Sequence, residues 1–371
     1  MFVKLGDIAE VLISNVDKKT KPNEQKVLLC NFVDVYKNYA ITNRMTSCFM
    51  IASASKASIE KFTIKKGYLA ITKDSETRDD IGVATYFADE FSNLLLGYHC
   101  ALIKPDNKKV YSKFLNAFMQ SPFVRKYFEM NASGSGQRYT LTLDTILSTP
   151  ILLPDFNTQK KIGDLLSKID YQIEKNNAIV KRLQVLALNI FDYYSKENDG
   201  SNSIVLGDVL IERKKSSIQV NDVIDLSGDI PFFTSGDAIL HTKEKLISGF
   251  NIFLSTGGNA KAQAYYGDSS YSTDTWCVSA KDDLQYYLYG YFKRIETQMD
   301  KLYFSGTGLK HLQKPIFLKS IINIPTKDKL HQYNLQVGPI YKQISKIEQS
   351  TFKLRKLRNQ LLPLLINQQL I

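Results

Sequence analysis

The side chains of this chain that could contact a ligand are Lys and Arg residues on turn-rich segments, together with polar and aromatic neighbours. Such side chains donate to phosphate oxygens and to base edges, preferably from loops that a rigid domain can aim. Four segments have this composition, at 73–78, 137–139, 255–261 and 310–314. The candidate contacts to double-stranded DNA are Lys73, Arg78, Arg138, Tyr139, Thr256, Asn259, Lys261, Lys310, His311 and Lys314. Solvated surface loops are the alternative for each of them.

The sequence offers no pattern typical of catalysis. There is no phosphate-binding Gly-Lys-Ser/Thr loop, no glycine-rich cofactor loop between a strand and a helix, and no metal-type spacing of histidines. The four cysteines lie far apart, which favours buried free thiols over a disulfide framework. They are Cys30, Cys48, Cys100 and Cys277. We therefore predict no catalytic residue, no metal and no cofactor bound by this chain itself.

Composition favours a globular protein with a polyanionic partner. The 371 residues are 44% hydrophobic, enough for two or three domains with real cores. Lys and Arg number 48 against 37 Asp and Glu, and residues 301–371 alone hold 12 basic and 2 acidic side chains. No apolar run has the length of a signal peptide or a membrane span, so we expect a soluble cytoplasmic protein without a membrane partner.

Five short motifs occur twice in the same order, and the offset between the copies falls steadily from 201 to 171 residues. An internal duplication with successive deletions in the second copy predicts this decline, and chance coincidence is the alternative. The paired motifs are Leu5-Gly6-Asp7-Ile8 and Leu206-Gly207-Asp208-Val209, Gly67-Tyr68 and Gly249-Phe250, His99-Cys100 and Trp276-Cys277, Gly134-Ser135-Gly136 and Gly306-Thr307-Gly308, and Pro154 and Pro325.

Each copy ends in a heptad pattern. After Pro154 and again after Pro325, apolar residues recur at alternating spacings of four and three, which predicts helices of roughly 35 residues and about 50 Å. The helix-pairing seam is predicted to contain Ile162, Leu166, Ile169, Ile173, Val180, Leu183, Ile340, Ile344, Ile347, Leu354 and Leu361. Asn176 interrupts the first stripe and either sets the register of pairing or faces water. Gly338-Pro339 should start, break or kink the second helix, and Pro363 should distort its end.

Equivalent positions in two similar copies predict that the helices pair antiparallel and carry the globular parts to opposite ends. The alternative is that each helix packs onto its own domain as an ordinary amphipathic helix. Because the copies differ in sequence, any DNA target should be split into two unlike half-sites.

The residues resemble the specificity subunits of type I restriction–modification systems. The likeness is carried by the Leu-Gly-Asp opening, the proline-ended strand, the helix start Asn157-Thr158-Gln159-Lys160-Lys161-Ile162-Gly163-Asp164-Leu165-Leu166, and the closing Leu357-Arg358-Asn359-Gln360-Leu361-Leu362. The second copy lacks the run from Gln159 to Ile169 in recognisable form, so the likeness is stronger in the first helix.

This resemblance implies an α/β (α+β) chain with two globular target-recognition domains separated by two long antiparallel helices. The predicted domains are 1–155 and 199–325, and the helical spacers are 156–198 and 326–371. It also implies a non-catalytic subunit with two methyltransferase and two restriction or motor subunits as partners, with S-adenosylmethionine on the methyltransferases. The alternatives are a specificity subunit that serves a methyltransferase only, and a coiled-coil adaptor that does not bind DNA.

Overall fold

The computed structural model describes residues 1–196, 202–223 and 228–366. Clustering of the chain gives two compact units. Unit 1 is Met1–Tyr171 with the segment from Leu357 onward, and unit 2 is Gln172–Lys356, so each long C-terminal helix of a copy contributes to both units. The predicted boundaries at 198 and 199, and residues 367–371 of the second predicted spacer, lie outside the described residues.

Unit 1 is built from a sheet-rich globular part and helices packed on it. Its strands are β1 Phe2–Lys4, β2 Ala9–Ile13, β3 Gln25–Cys30, β4 Ala40–Ile41, β5 Met50–Ala54, β6 Leu69–Thr72, β7 Asp74–Ser75, β8 Ala84–Phe87, β9 Leu94–Leu96, β10 Cys100–Pro105, β11 Ser133–Ser135, β12 Arg138–Thr140 and β13 Pro150–Leu152. Its helices are α1 Leu5–Ile8, α2 Phe32–Lys37, α3 Lys56–Phe62, α4 Ser112–Met119, α5 Pro122–Asn131, α6 Leu143–Leu147 and the beginning of α7 Phe156–Lys196. The strands form sheets in the orders β2-β10-β6-β8-β4, β5-β3-β9, β11-β12-β7 and β1-β13.

Unit 2 repeats the same plan with a shorter globular part. Its strands are β14 Asn202–Val205, β15 Leu210–Glu212, β16 Ile230–Phe233, β17 Ile239–Thr242, β18 Phe250–Ser255, β19 Ala262–Tyr266, β20 Ser270–Tyr271, β21 Thr275–Ala280, β22 Phe304–Ser305, β23 His311–Leu312 and β24 Ile321–Ile324. Its helices are α8 Leu206–Val209, α9 Gln285–Leu302, α10 Lys314–Leu318 and most of α11 Lys327–Ile366. The sheet orders are β15-β21-β18-β19, β17-β16-β20, β14-β24 and β22-β23.

The repeat predicted from the sequence is confirmed by the topology. In each unit the first strand pairs antiparallel with the last short strand before the long helix, β1 with β13 and β14 with β24. The backbone N–H groups of Leu5 and Leu206, both fully buried, each donate to a carbonyl just before that last strand. Next come β2–β10–β6 in unit 1 and β15–β21–β18 in unit 2. The matched turn glycines Gly67 and Gly249 have φ of 87° and 86°, values that favour glycine.

The prediction that the second helix starts or breaks at Gly338-Pro339 is wrong. α11 runs through Gly338 and Pro339, and through Pro363, without interruption. A proline inside a helix costs about 3 kcal/mol, but Tyr333, Val337 and Tyr341 are buried in the core of unit 2 around it, each contributing roughly 1.5–3 kcal/mol. A side chain at Gly338 would lie 3.3 Å from the ring of Tyr286, so the glycine lets that ring pack against the helix. Tertiary packing therefore outweighs the local tendency of Gly338 and Pro339 to end the helix.

The expectation of buried thiols holds for three cysteines and fails for one. Cys30, Cys100 and Cys277 are buried, whereas Cys48 is exposed, and all four are free. Cys48 ends a 3₁₀ helix, Asn43–Cys48, that buries none of its residues. Along the described ranges, none of the helices has the apolar length that a bilayer crossing needs.

Candidate nucleic-acid interface

In unit 1, strand pairing brings the candidates from two distant segments together. β12 pairs with β7, with Thr140 opposite Asp74, so that Lys73 and Arg138 line one cavity of about 850 Å³. The β11–β12 hairpin depends on Gly134, where a side chain would lie 2.2 Å from the carbonyl oxygen of Arg138. The Gly-Ser-Gly turn of the sequence therefore positions Arg138, as a tight hairpin requires.

Lys73 is fixed inside this cavity by its neighbours. Its ammonium lies 2.7 Å from Oδ1 of Asp74 and 3.4 Å from the hydroxyl of Thr140, and its side chain is 19% exposed. Burial alone would raise the pKa of Asp74, but hydrogen bonds from Lys73, Thr140 and His99 hold that pKa below its ordinary value. Lys73 therefore orders an ionised carboxylate as well as adding positive charge.

The two candidate arginines of unit 1 are more available. The guanidinium of Arg78 lies 5.1 Å from the ring centroid of Tyr139, a cation–π contact, and the residue is exposed. Arg138 is exposed, and no ion pair involves either arginine within the described part of the chain. These side chains can approach phosphates or base edges without first losing a carboxylate partner.

The same cavity contains residues that the sequence analysis did not select, above all His99 and Asp74. His99 Nδ1 lies 2.5 Å from Asp74 Oδ2, and the rings of Tyr98 and His99 are 4.0 Å apart. Asn15 and Lys19 also line the cavity. The only sequence signal for His99 was its place in a repeated motif, opposite Trp276 in the second copy.

In unit 2, the two predicted segments also meet. Gly257 forms a β-bridge with His311, and the backbone N–H of Leu312 donates to the carbonyl of Thr256 at 3.0 Å. A cavity of about 590 Å³ results, and its lining includes four of the candidates. They are Thr256, Asn259, Lys261 and His311. Lys310 and Lys314 are outside that lining.

Each predicted lysine of unit 2 has a carboxylate partner. Lys261 bonds to Asp237, Lys310 lies 2.9 Å from Asp300, and Lys314 lies 3.0 Å from Glu212. The lysines hold the pKa values of Asp237 and Asp300 below their ordinary range, by hydrogen bonds to Lys261 and Lys310 respectively. Lys314 also lies 4.3 Å from the ring centroid of Trp276. The two units thus differ: unit 1 offers unpaired arginines and unit 2 offers neutralised lysines.

The predicted seam residues are all buried or half-buried. The buried ones are Ile162, Leu166, Ile169, Ile173 and Ile344. The half-buried ones are Val180, Leu183, Ile340, Ile347, Leu354 and Leu361. Ile162 and Leu166 belong to the core of unit 1 together with Phe114, whereas Ile344, with Val180 and Leu183 against it, belongs to the core of unit 2. The first turns of α7 therefore pack on the globular part of unit 1, in a core that also includes Leu362 and Leu365 of α11.

Polar contacts fix the direction of pairing within unit 2. The amide of Asn176 donates to the hydroxyl of Thr351 at 3.0 Å, and Gln336 donates to the hydroxyl of Tyr194 at 2.8 Å. Along α7 the residue number rises from Asn176 to Tyr194, whereas along α11 the number of the bonded partner falls from Thr351 to Gln336. The two helices therefore run antiparallel. Asn176 is 7% exposed, so it does not face water and its bond to Thr351 joins the helices.

Unit 1 contains a buried ion pair between α7 and the end of α11. Arg358 Nε lies 2.9 Å from Asp170 Oδ1, its Nη2 donates to Gln120 at 2.7 Å, and its guanidinium lies 4.9 Å from the ring centroid of Tyr39. Burial raises the pKa of Asp170 to about 6, a larger effect than the opposing one of Arg358.

Comparison with known proteins gives the family. The sequence profile described as type I restriction modification DNA specificity domain matches residues 1–184 and 198–363. The type I restriction enzyme HindI specificity subunit of Haemophilus influenzae is 29% identical over 188 residues, which are 50% of this chain and 39% of the relative. The chain thus matches well under half of that relative's length.

A solved structure shares the fold. The S subunit of a type-I restriction-modification system from M. genitalium superposes with a TM-score of 0.61 at 12% identity, covering 98% of this chain and 95% of the other. The HsdS subunit from Thermoanaerobacter tengcongensis covers 99% of this chain and 96% of the other at 14% identity, with a TM-score of 0.38 that is too low to support an argument. With two profile matches that together span nearly all of its length, this chain belongs to the type I restriction modification DNA specificity domain family.

Proposed function

We propose that this chain is the DNA-specificity subunit of a type I restriction–modification complex and does no chemistry itself. The observation that carries the proposal is the duplicated family domain, in which each copy brings predicted residues from two distant loops to one cavity, Lys73 and Arg138 in unit 1 and Lys261 and His311 in unit 2. A rigid scaffold that carries a differently charged cavity in each copy is suited to reading sequence rather than to one fixed reaction.

Phosphate contacts and base contacts would be divided among these residues. The chain carries a formal net charge of +11, which favours association with a polyanion. Arg78 and Arg138 are the best placed for phosphate or guanine, since neither has an ion-pair partner among the described residues. In unit 2, Asn259 and Thr256 would supply neutral donors and acceptors to base edges.

The two half-sites should be unlike. The cavity of unit 1 is lined by Lys73, Arg138 and His99 with two carboxylates, whereas that of unit 2 is lined by Lys261, Asn259 and His311 with three carboxylates. Different donors and acceptors select different bases, so an asymmetric split target is expected rather than a palindrome.

The partners belong to the same proposal. Two methyltransferase subunits, which would bind S-adenosylmethionine, and two restriction or motor subunits would assemble with this chain in the cytoplasm. The support is family membership and the name of the HindI relative, a specificity subunit of a type I restriction enzyme.

Methylation mapping tests the proposal. The full chain is purified with the methyltransferase encoded beside it and incubated with genomic DNA and S-adenosylmethionine, and the modified bases are sequenced. One split, asymmetric target is the expected result, and this chain alone should methylate nothing. Methylation without sequence preference, or equal methylation by the methyltransferase alone, would contradict the proposal. A complex that modifies but never cleaves with its restriction partner would reduce the function to methylation only.

A further inference from the structure

The loop before β10 holds a histidine in an uncommon backbone conformation. His99 has φ of 70°, the left-handed region that costs a non-glycine residue of order 1 kcal/mol or more. Its carbonyl accepts a hydrogen bond of 2.9 Å from the backbone N–H of Lys73, which ties this loop to the β6–β7 connection. The strands on both sides therefore impose the conformation and aim the imidazole into the cavity of unit 1.

Asp74 determines which imidazole nitrogen carries the proton. Its Oδ2 lies 2.5 Å from His99 Nδ1, while its Oδ1 accepts from Lys73 at 2.7 Å and from Thr140 at 2.6 Å. These bonds hold the pKa of Asp74 low, so the carboxylate is ionised and can only accept. His99 Nδ1 must then be the donor, and in the neutral ring Nε2 is left as an acceptor.

The acceptor nitrogen is available to a ligand. The imidazole side chain is 34% exposed and lines the cavity with Arg138, Lys19 and Asn15, and no described residue bonds to Nε2. The cavity thus presents the Nε2 acceptor of His99 beside the cations Lys19 and Arg138, with the carboxylates of Asp17 and Asp74 also in its lining.

Only some bases match a fixed acceptor. In the major groove, adenine and cytosine present an amino group, whereas guanine and thymine present a carbonyl oxygen at the corresponding position. Given the proposed DNA-reading function, on which this inference rests, we propose that His99 is a base-reading residue of unit 1. Its Nε2 accepts a hydrogen bond from the amino group of an adenine or a cytosine, and Asp74 is the positioning residue that fixes the tautomer.

The second copy does not repeat this device. The equivalent position in the repeat is Trp276, which is 3% exposed and belongs to the core of unit 2. An indole has no acceptor nitrogen. The discrimination is therefore confined to the half-site that unit 1 reads.

Base analogues that lack only the amino group provide the test. The target is first mapped with the full chain and its methyltransferase. Each adenine of the target is then replaced by purine and each cytosine by 2-pyrimidinone, one position at a time, and the affinity for the labelled duplexes is measured. At one position of one half-site, wild-type binding should fall about tenfold, the value of one hydrogen bond of roughly 1.4 kcal/mol.

The matched variants are His99→Asn, which suits a left-handed backbone but is too short to reach the base, and His99→Ala. Both should bind the unmodified target more weakly, and both should lose the sensitivity to that analogue, so that its effect falls below about twofold. Asp74→Asn should weaken the same sensitivity, and every other position should respond as in wild type.

Two failures are distinguishable. If wild type selects no sequence at all, the proposed DNA-reading function is wrong. In the second failure, wild type selects a target while each analogue lowers its affinity by the same factor as it lowers that of His99→Asn and His99→Ala. In that case the DNA-reading function stands and the proposed role of His99 is wrong. Should the variants fail to fold, a wild-type analogue scan with no sensitive adenine or cytosine in one of the half-sites would also overturn the assignment of an amino-bearing base to unit 1.

Discussion

Individual carboxylates in this protein are held in surroundings that oppose their ionisation. Glu348 on α11 lines a cavity of about 490 Å³ in unit 2 together with Tyr265 and Phe352, and burial raises its pKa to about 7. No hydrogen bond to its carboxylate occurs among the described residues of unit 2. The charged form is therefore unfavourable in the folded state, and neutralising it should stabilise unit 2.

Glu348→Gln should stabilise unit 2 at pH 8 by about 1–3 kcal/mol. The folded pKa of about 7 lies above the unfolded value of 4.5, so wild type loses stability as pH rises between those values, whereas the glutamine variant does not. The advantage of the variant should be full above pH 7 and nearly absent near pH 4.5.

Fluorescence of Trp276 during denaturant unfolding measures this effect. Trp276 is the only tryptophan and is buried in the core of unit 2. Glu244→Gln, at an exposed position of the same unit, is the control and should shift the midpoint little at either pH. An advantage of Glu348→Gln that is the same at pH 5 and pH 8 would refute the role of ionisation.

At the scale of the elements, α7 and α11 combine an apolar seam with three polar contacts, one of which is the bond between Gln336 and Tyr194. Asn176 and Thr351 meet in unit 2, and Asp170 and Arg358 meet in unit 1. Buried polar pairs add little net stability, but they disfavour arrangements that leave one partner alone. Both pairs therefore serve to select one register and one direction.

Thr351→Val should cost about 1–3 kcal/mol in unit 2, because it leaves the buried amide of Asn176 without its acceptor. Adding Asn176→Leu should recover that loss, since an apolar pair has no unsatisfied group. The unfolding midpoint by Trp276 fluorescence of wild type, both single variants and the double variant gives the coupling energy. A Thr351→Val midpoint equal to that of wild type would show that the bond contributes nothing.

Arg358→Met should loosen the end of α11 in unit 1 by about 3–5 kcal/mol at pH 8, because Asp170 remains buried and charged. Arg358 lowers the pKa of Asp170, which is about 6 with the arginine in place, so this pKa should be higher in the variant and the loss should shrink as pH falls from that higher value to about 6. Hydrogen exchange of the amides of residues 357–366 measures the effect. The double variant Arg358→Met with Asp170→Asn is the matched control, and the amides of its residues 357–366 should exchange slowly both at pH 8 and below pH 6.

At the scale of the whole molecule, the parts predicted from the sequence were those set by local pattern. The Leu-Gly-Asp openings, the glycine turns and the heptad stripes recur because the same backbone pairings need them in both copies. Local sequence patterns did not predict the features that depend on residues distant in the sequence. α11 continues through Pro339 because of tyrosines packed around it, and Lys314 pairs with Glu212, 102 residues away. The role of Asp74 as an organiser likewise depends on Thr140 and His99, which only the fold brings to it.

The candidate cations are paired with carboxylates differently in the two units, and this difference leads to a prediction for the whole complex. Each phosphate contact changes the slope of log affinity against log salt by about 0.9, but a lysine that stays bound to a carboxylate releases no counterion. Arg78→Gln with Arg138→Gln should therefore flatten the slope by close to 2. Lys261→Gln with Lys310→Gln should flatten the slope by less than about 1, because Asp237 and Asp300 already neutralise those lysines.

Anisotropy titrations of the mapped target with the full chain and its methyltransferase, over a salt series, give the slopes. Lys108→Gln, an exposed residue outside the cavity lining, is the control and should leave the slope unchanged. An equal change of slope for the two double variants would mean that the lysines of unit 2 exchange their carboxylates for phosphates on binding. Both units would then contact the DNA backbone in the same way.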